Sequence, residues 1–398
     1  MGAVSRRSLL GFVAVATFLL AAAGVAGVLF IGDGRGDPPP QLRTLDLASC
    51  RDLQGEEARS CFAQRFLTVL DGRDDPRPGV QAISDLAWGE GGFLLTNCHV
   101  IMHTVGRRYA RDAGVTLANL MEHLPLGNDP GCSAGFAHGL VTGVAPDLDP
   151  SHPAESASVC AEAGTRWQRY SCVHGFGHAF MRLYGDQLEP ALELCVELGA
   201  DTAPDCAQGA YHDYWLAVIG ADGATLRDRP VTDPRRLCGA QPEAFVRPCW
   251  YRAFLETRPD GFQIEAPRDL EDLCDGLEGV QREGCITGAA VIGPPDPSAQ
   301  LEICAALPVA ADAASCVRGT KVQNLLKEPP ESYVSLIEGC DRFSAIARRA
   351  CYRWLGKAIA VVTDGRFERT GCPRLSSDAA RLCVEGARTI DEALVTFS

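Results

Sequence analysis

The stretch from Glu189 to Tyr211, which reads EPALELCVELGADTAPDCAQGAY, decides the fold. Its first ten residues carry apolar side chains at helical spacing, which predicts an amphipathic helix. A break, GADTAP, follows, and Asp205 is then a suitable N-cap for a second helix. Cys195 and Cys206 lie 11 residues apart. A disulfide between them would tie the end of one helix to the start of the next.

The same cysteine spacing recurs along the whole chain. Six pairs are 11 residues apart and two are 12 apart, so 16 of the 18 cysteines fall into local pairs. These pairs are Cys50/Cys61, Cys160/Cys172, Cys195/Cys206, Cys238/Cys249, Cys274/Cys285, Cys304/Cys316, Cys340/Cys351 and Cys372/Cys383. When Cys98 and Cys132 are added to the second cysteine of each pair, successive positions lie 31 to 43 residues apart. That period is typical of helix-hairpin repeats and predicts about nine or ten units.

Two sequence features would stabilise each predicted hairpin. A disulfide that closes a loop of this length contributes about 2–3 kcal/mol. A glycine also stands three residues after the cysteine, in a C-x2-G motif that begins at Cys132, Cys172, Cys206, Cys285, Cys316 and Cys383. Glycine costs a helix about 1 kcal/mol relative to alanine, so we expect a close approach of the neighbouring helix to outweigh that cost.

The pattern resembles that of the cysteine-rich Sel1-like repeat proteins. The resemblance is carried by Leu192-x2-Cys195 and by Cys206-x2-Gly209-x-Tyr211, and it departs from the family in its longer loops and in the spacing near Cys249. It implies an all-α fold over roughly residues 45–390, an irregular αα-hairpin solenoid stapled by local disulfides. It also implies a scaffold or binding role, and it transfers no catalytic residue.

Composition restricts the class of protein. The chain has 398 residues, of which 46% are hydrophobic and 22% charged, so it can form a core. A net charge of -14 and the lack of any basic run exclude a nucleic-acid-binding protein. Eighteen cysteines without a C-x2-C motif exclude zinc ribbons, iron–sulfur motifs and c-type haem attachment. They indicate disulfides, and therefore a compartment outside the cytosol.

The N-terminal segment predicts a single-pass membrane anchor. Residues 9–31 contain no charge, and 23 residues of helix cover the hydrocarbon core of about 30 Å. Arg6 and Arg7 precede the segment, which leaves the N-terminus in the cytosol and the bulk of the chain extracytoplasmic, in the periplasm or at the cell surface. The alternative is a twin-arginine-like export signal that is cleaved near Ala21-Ala22-Ala23.

The histidines are confined to one part of the chain. All eight lie between His99 and His212. His138, His178 and His212 each complete the motif C-x2-G-x2-H, so they take the same helical position in three consecutive units. Other units place apolar residues there, including Leu255, which indicates that the position faces the interior.

Two i,i+4 pairs strengthen the case for a metal site. His99 with His103, and His174 with His178, would each put two rings on one helix face, as helices do when they supply two ligands. Neither pair contains the HExxH glutamate, so a zincin protease is not indicated. The predicted metal ligands are His99, His103, His138, His174, His178 and His212. Imidazole donors suit Cu, Fe or Zn, as two ions or as one ion with outer histidines, and a bis-histidine haem is the less favoured alternative.

Five further residues are candidates for the same site. Cys98 and Cys132 either bridge each other or act as metal ligands or redox thiols. Tyr109, Tyr211 and Asp213 could orient the imidazoles through hydrogen bonds.

Two classes of function stay open at this stage. In the first, the chain is a transition-metal-binding protein, and its chemistry would be that of an oxidoreductase or a hydrolase. In the second, it is a non-catalytic extracytoplasmic scaffold that binds a protein or peptide partner on its repeat surface. The predicted divisions are an anchor or uncleaved signal (1–31), a linker (32–44), histidine-rich repeats with the metal site (45–225) and histidine-free repeats (226–398).

Overall fold

The computed structural model describes residues 45–127, 129–216, 218–219, 225–227, 233–257 and 263–389. These residues form twenty α-helices, six short 3-10 helices and one two-stranded antiparallel ribbon. The predicted all-α, disulfide-rich fold is therefore confirmed, apart from the ribbon. The predicted anchor and linker lie outside the described residues. Among the helices that the structure describes, none is both long and apolar enough to cross a membrane.

The α-helices alternate in role along the chain. The odd-numbered helices form the first arm of each hairpin: α1 (Ala48–Arg51), α3 (Arg77–Glu90), α5 (Leu120–His123), α7 (Pro153–Ala157), α9 (Leu188–Glu197), α11 (Pro234–Gly239), α13 (Pro267–Leu273), α15 (Pro297–Ala305), α17 (Pro330–Glu338) and α19 (Arg366–Thr370). The even-numbered helices form the second arm: α2 (Gly55–Leu70), α4 (Gly92–Asp112), α6 (Cys132–Gly143), α8 (Arg166–Leu183), α10 (Ala203–Trp215), α12 (Glu243–Thr257), α14 (Gly279–Ala290), α16 (Ala310–Arg318), α18 (Ala345–Val362) and α20 (Ser377–Ala387).

The remaining elements are short. The 3-10 helices cover Leu117–Asn119, Ala145–Asp147, Ser158–Glu162, Val322–Leu325, Gly339–Arg342 and Cys372–Arg374. Strand β1 (Val218–Ile219) pairs with β2 (Thr225–Arg227). The predicted division at 225/226 falls within β2 and stays a prediction.

Proline and aspartate define several of the helix starts. Five of the odd-numbered helices begin at a proline, whose fixed φ and missing N–H suit the first helical position. Asp296 caps α15 by accepting a hydrogen bond from the Ser298 backbone N–H. The prediction that Asp205 caps α10 is wrong: α10 starts at Ala203, one residue before a proline, and Asp205 lies within its first turn. There it accepts a hydrogen bond from the Arg166 guanidinium at 2.9 Å.

Disulfides staple the hairpins as the spacing predicts. All eight local pairs are bonded, and the eighteen cysteines leave no free thiol. Each local bond joins the first arm of a hairpin, or the turn after it, to the second arm. The ninth bond, Cys98–Cys132, is different because it joins α4 to α6 across two units.

The C-x2-G glycines lie where even-numbered helices cross. A Cβ atom on Gly135 of α6 would lie 2.1 Å from the carbonyl oxygen of His99 on α4. A Cβ on Gly209 of α10 would lie 2.0 Å from the carbonyl oxygen of His174 on α8. No side chain fits at these distances, so glycine permits a backbone-to-backbone contact beside the histidines.

Packing follows the chain order of the second arms. Each even-numbered helix from α2 to α20 packs against the next even-numbered helix. The series also bends back, because α18 contacts α8 although four even-numbered helices lie between them. An ion pair between Lys327 and Asp85, at 2.9 Å, also joins distant parts of the chain.

Candidate metal centre

Six histidines from four successive second arms meet in one place. α4 carries His99 and His103, α6 carries His138, α8 carries His174 and His178, and α10 carries His212. We call these six residues the histidine cluster. The ring centroid of His103 lies 4.7 to 5.4 Å from four of the other rings, those of His99, His138, His178 and His212. His174 lies on one side of the cluster, stacked on His138 at 4.3 Å.

The cluster is closed by a contact between helices that are not neighbours in the series. His99 on α4 and His212 on α10 have ring centroids 5.5 Å apart. The four helices therefore surround the rings rather than lining them up in a row.

Burial keeps these imidazoles neutral. The side chains of His138, His174, His178 and His212 are buried, and those of His99 and His103 are half-buried. Burial lowers the pKa of all six rings, that of His99 to about 3. A neutral imidazole has a lone pair on one ring nitrogen, which is the form that binds a metal ion.

A carboxylate on the next helix orients His178. Its Nδ1 donates a hydrogen bond to Oδ1 of Asp213 at 3.0 Å, and Nε of Arg182 lies 3.2 Å from Oδ2 of the same carboxylate. The pKa of Asp213 is lowered because Arg182 and His178 outweigh the effect of its burial. Since Nδ1 carries the proton, Nε2 of His178 carries the lone pair.

Similar contacts orient three other rings. Nδ1 of His99 donates to the carbonyl oxygen of Pro130 at 2.8 Å, and Nδ1 of His174 donates to Oε1 of Gln208 at 3.3 Å. Nε2 of His212 faces Oε1 of Glu256 at 3.4 Å. Carboxylate and carbonyl partners of this kind are typical of metal-ligating histidines.

Four ring nitrogens of the cluster have no hydrogen-bond partner within the described residues. They are Nε2 of His99, Nε2 of His138, Nε2 of His178 and Nδ1 of His212, and all four are buried. A buried polar atom without a partner costs about 1–3 kcal/mol. A metal ion bound between the rings would satisfy those of the four atoms that it contacts.

The cluster contains three groups of three residues whose ligand atoms all lie within 4.8 Å of one another. The groups are His99/His103/His138, His103/His178/His212 and His138/His174/His178. Any two of them share one histidine. Unless a shared ring bridges two ions, only one of these groups can be filled at a time.

A buried arginine stands beside the cluster. Arg252 of α12 is 1% exposed, and its Nη2 lies 3.4 Å from Nε2 of His174. Its Nη1 lies 3.3 Å from Oε1 of Glu256, the oxygen that also faces His212. Its charge helps to lower the pKa of His174 and His212.

The two cysteines of the predicted site are bonded to each other. Cys98–Cys132 is the first of the two alternatives given by the sequence, and a bridged sulfur offers no thiolate. The alternative role as a metal ligand or redox thiol is therefore wrong for this structure.

Of the three side chains expected to orient the imidazoles, only Asp213 contacts the cluster within the described residues. The hydroxyl of Tyr109 instead donates to the carbonyl oxygen of Arg73 at 2.9 Å and lies 3.3 Å from Nδ1 of His123, outside the cluster. Tyr211 is buried on α10, and its hydroxyl has no hydrogen-bond partner among the residues that the structure describes. Both tyrosines lie on histidine-bearing helices, Tyr109 on α4 and Tyr211 on α10.

Four partners of the cluster were missed by the sequence reasoning, and three of them had a signal. Glu256 stands seven residues after Cys249, as Asp213 stands seven after Cys206. Gln208 stands two residues after its cysteine, the position that His174 takes in the preceding unit. Arg252 takes the place of the C-x2-G glycine. The fourth partner is the carbonyl oxygen of Pro130, and a backbone atom leaves no side-chain pattern.

Comparison with known proteins adds no family. A scan against family models, a search of curated proteins and a search of solved structures each found no match to this chain.

Proposed function

We propose that this protein binds one transition-metal ion per chain in the histidine cluster and holds it outside the cytosol. The observation that carries the proposal is the convergence of four buried, unpartnered ring nitrogens around His103. Together they would cost several kcal/mol if nothing bound them. A polar core without a ligand would be expected to pair these atoms with each other or with the backbone.

Within the cluster, we infer that the ion binds to the group His103/His178/His212. Two of its members have a carboxylate on one ring nitrogen and no partner on the other. In the group that contains His174, by contrast, that ring has a partner on both nitrogens, Gln208 and Arg252. We therefore assign His103, His178 and His212 as the ligands, and place His99, His138 and His174 around them.

The donor set favours Zn, Cu or Fe. Imidazole is a borderline ligand, the nearby cysteines are all bridged, and the carboxylates of Asp213 and Glu256 are engaged with histidines. Three histidines leave a fourth coordination position open, as in catalytic rather than structural zinc sites. A bound Zn²⁺ would supply an activated water, and Cu or Fe would supply redox chemistry, so an oxidoreductase or a hydrolase is proposed. Haem is disfavoured because rings packed 4.3 to 5.9 Å apart leave no room for a macrocycle.

The proposed setting is a membrane-anchored solenoid. The order in which second arms pack supports an irregular αα-hairpin solenoid, and nine disulfides support an extracytoplasmic location. The anchor rests on the sequence of residues 9–31 alone. The histidine-free units are proposed to cap the array or to bind a protein or peptide partner.

Metal analysis of the full chain tests the proposal. The protein is purified in detergent without chelators and without a polyhistidine tag, and its metal content and visible absorption are measured. We expect about one equivalent of Zn, Cu or Fe. A protein that contains no transition metal and takes up none on reconstitution would contradict the proposal and favour the scaffold alternative.

A further inference from the structure

Both carboxylates that contact the histidine cluster within the described residues are already paired with arginines. Asp213 is paired with Arg182 at 3.2 Å, and Glu256 is paired with Arg252 at 3.3 Å. A divalent ion would therefore add two positive charges that no carboxylate in contact with the cluster is free to offset. Uncompensated charge in a buried site is costly, so the ion needs an anion from outside the protein.

Arg252 is placed to receive such an anion. Arg252 is 1% exposed, its Nε has no hydrogen-bond partner within the described residues, and its Nη2 lies 3.4 Å from Nε2 of His174. Guanidinium groups bind anions with two N–H donors, and they are costly to bury without that function. In most other units the equivalent position is glycine, so the arginine is a departure from the repeat.

The position of Arg252 relates it directly to the proposed ligands. Oε1 of Glu256 lies 3.3 Å from Nη1 of Arg252 and 3.4 Å from Nε2 of His212. The ring of His174, which Arg252 contacts, lies 5.0 Å from that of His178 and 5.9 Å from that of His212. Arg252 thus stands beside two of the three proposed ligands. His99 and His103 are the two half-buried residues of the cluster, and the other four are buried.

We infer that the metal-loaded centre binds a small inorganic anion as its fourth ligand, held between the ion and the Arg252 guanidinium. The inference rests on the proposed function and deepens it, because it gives the substrate class as a small anion rather than a neutral molecule. Arg252 acts by holding the anion, and it is not itself a metal ligand.

The test uses the full chain loaded with Co²⁺, whose visible absorption reports its ligands, and azide as the probe anion. Perchlorate keeps the ionic strength constant. We expect azide to shift the Co²⁺ bands in a saturable way. Arg252→Gln should weaken azide binding at least tenfold without weakening Co²⁺ binding, because it removes a cation from the site. Arg247→Gln is the matched control, since Arg247 lies on the same helix and pairs with Glu283 instead.

The outcomes separate the two proposals. If the wild-type chain binds no Co²⁺, the proposed function has failed, and the anion site fails with it. If Co²⁺ binds but azide leaves its bands unchanged, or if Arg252→Gln binds azide as the wild type does, only the anion site is overturned.

If Arg252→Gln does not fold, Arg252→Lys replaces it. Lysine keeps the charge but lacks the planar guanidinium, so Arg252→Lys should weaken azide binding less than tenfold but measurably. Equal azide affinity in Arg252→Lys and the wild type would then overturn the proposal that the Arg252 guanidinium holds the anion.

Discussion

Nδ1 of His178 donates a hydrogen bond to Oδ1 of Asp213, and the two residues lie on neighbouring second arms, six and seven residues after their own cysteines. One unit later the relationship recurs. His212, six residues after Cys206, faces Glu256, seven residues after Cys249. The repeat thus supplies both a proposed metal ligand and the carboxylate that orients the proposed ligand of the preceding unit.

Asp213→Asn should lower metal affinity about 10- to 100-fold. The amide keeps the shape of the side chain but removes the charge that holds the proton on Nδ1 of His178. Isothermal titration with Zn²⁺ or Co²⁺ measures the change. Asp149→Asn is the control, since Asp149 pairs with the exposed His152 away from the cluster. An affinity equal to that of the wild type would remove Asp213 from the site.

Single histidine substitutions should rank the ligands. His103→Ala and His178→Ala should each abolish stoichiometric metal binding, because each residue belongs to two of the three possible ligand groups. His174→Ala should retain the metal, since both nitrogens of that ring already have protein partners. His152→Ala should have no effect. Metal content after gel filtration is the readout, and equal losses in all four variants would leave no defined centre.

Gly209→Ala should destabilise the protein by about 1–3 kcal/mol, as overpacking does in other cores. The new methyl group would lie 2.0 Å from the carbonyl oxygen of His174, so α8 and α10 would have to separate. Gly239→Ala is the matched control, because nothing lies within 4 Å of a Cβ at that helical position. Chemical unfolding of both variants checks the difference, and similar midpoints would argue against the close crossing.

Replacing both Cys98 and Cys132 by serine should leave metal stoichiometry unchanged, because their sulfurs are bonded to each other. Loss of the disulfide that closes this 34-residue loop should reduce the free energy of unfolding by about 3–4 kcal/mol. Peptide mapping under non-reducing conditions should first recover Cys98–Cys132 and the eight local pairs in the wild type. A variant that folds but binds no metal would return these cysteines to the ligand set.

Local sequence patterns predicted the hairpins and the inward-facing positions of this molecule. They did not predict how successive hairpins curve relative to one another. The spacing of Cys195 and Cys206 was enough to predict a stapled hairpin, and the motif that ends at His138 was enough to predict an inward position. A straight row of stacked helices cannot bring three equivalent rings to one ion, so the sequence favoured two ions or outer histidines. The closure that brings His99 to His212 depends on how four helices bend together, which no single unit encodes.

The contact between α18 and α8 constrains the number of units that can lie between these two helices. Open repeat arrays can gain or lose units over evolutionary time, because each unit touches only its neighbours. Here the insertion or deletion of one hairpin between those two helices would shift α18 away from the helix that carries His174 and His178. Variation in length is therefore expected at the C-terminal end of the series, beyond α18, and not within the turn that it completes.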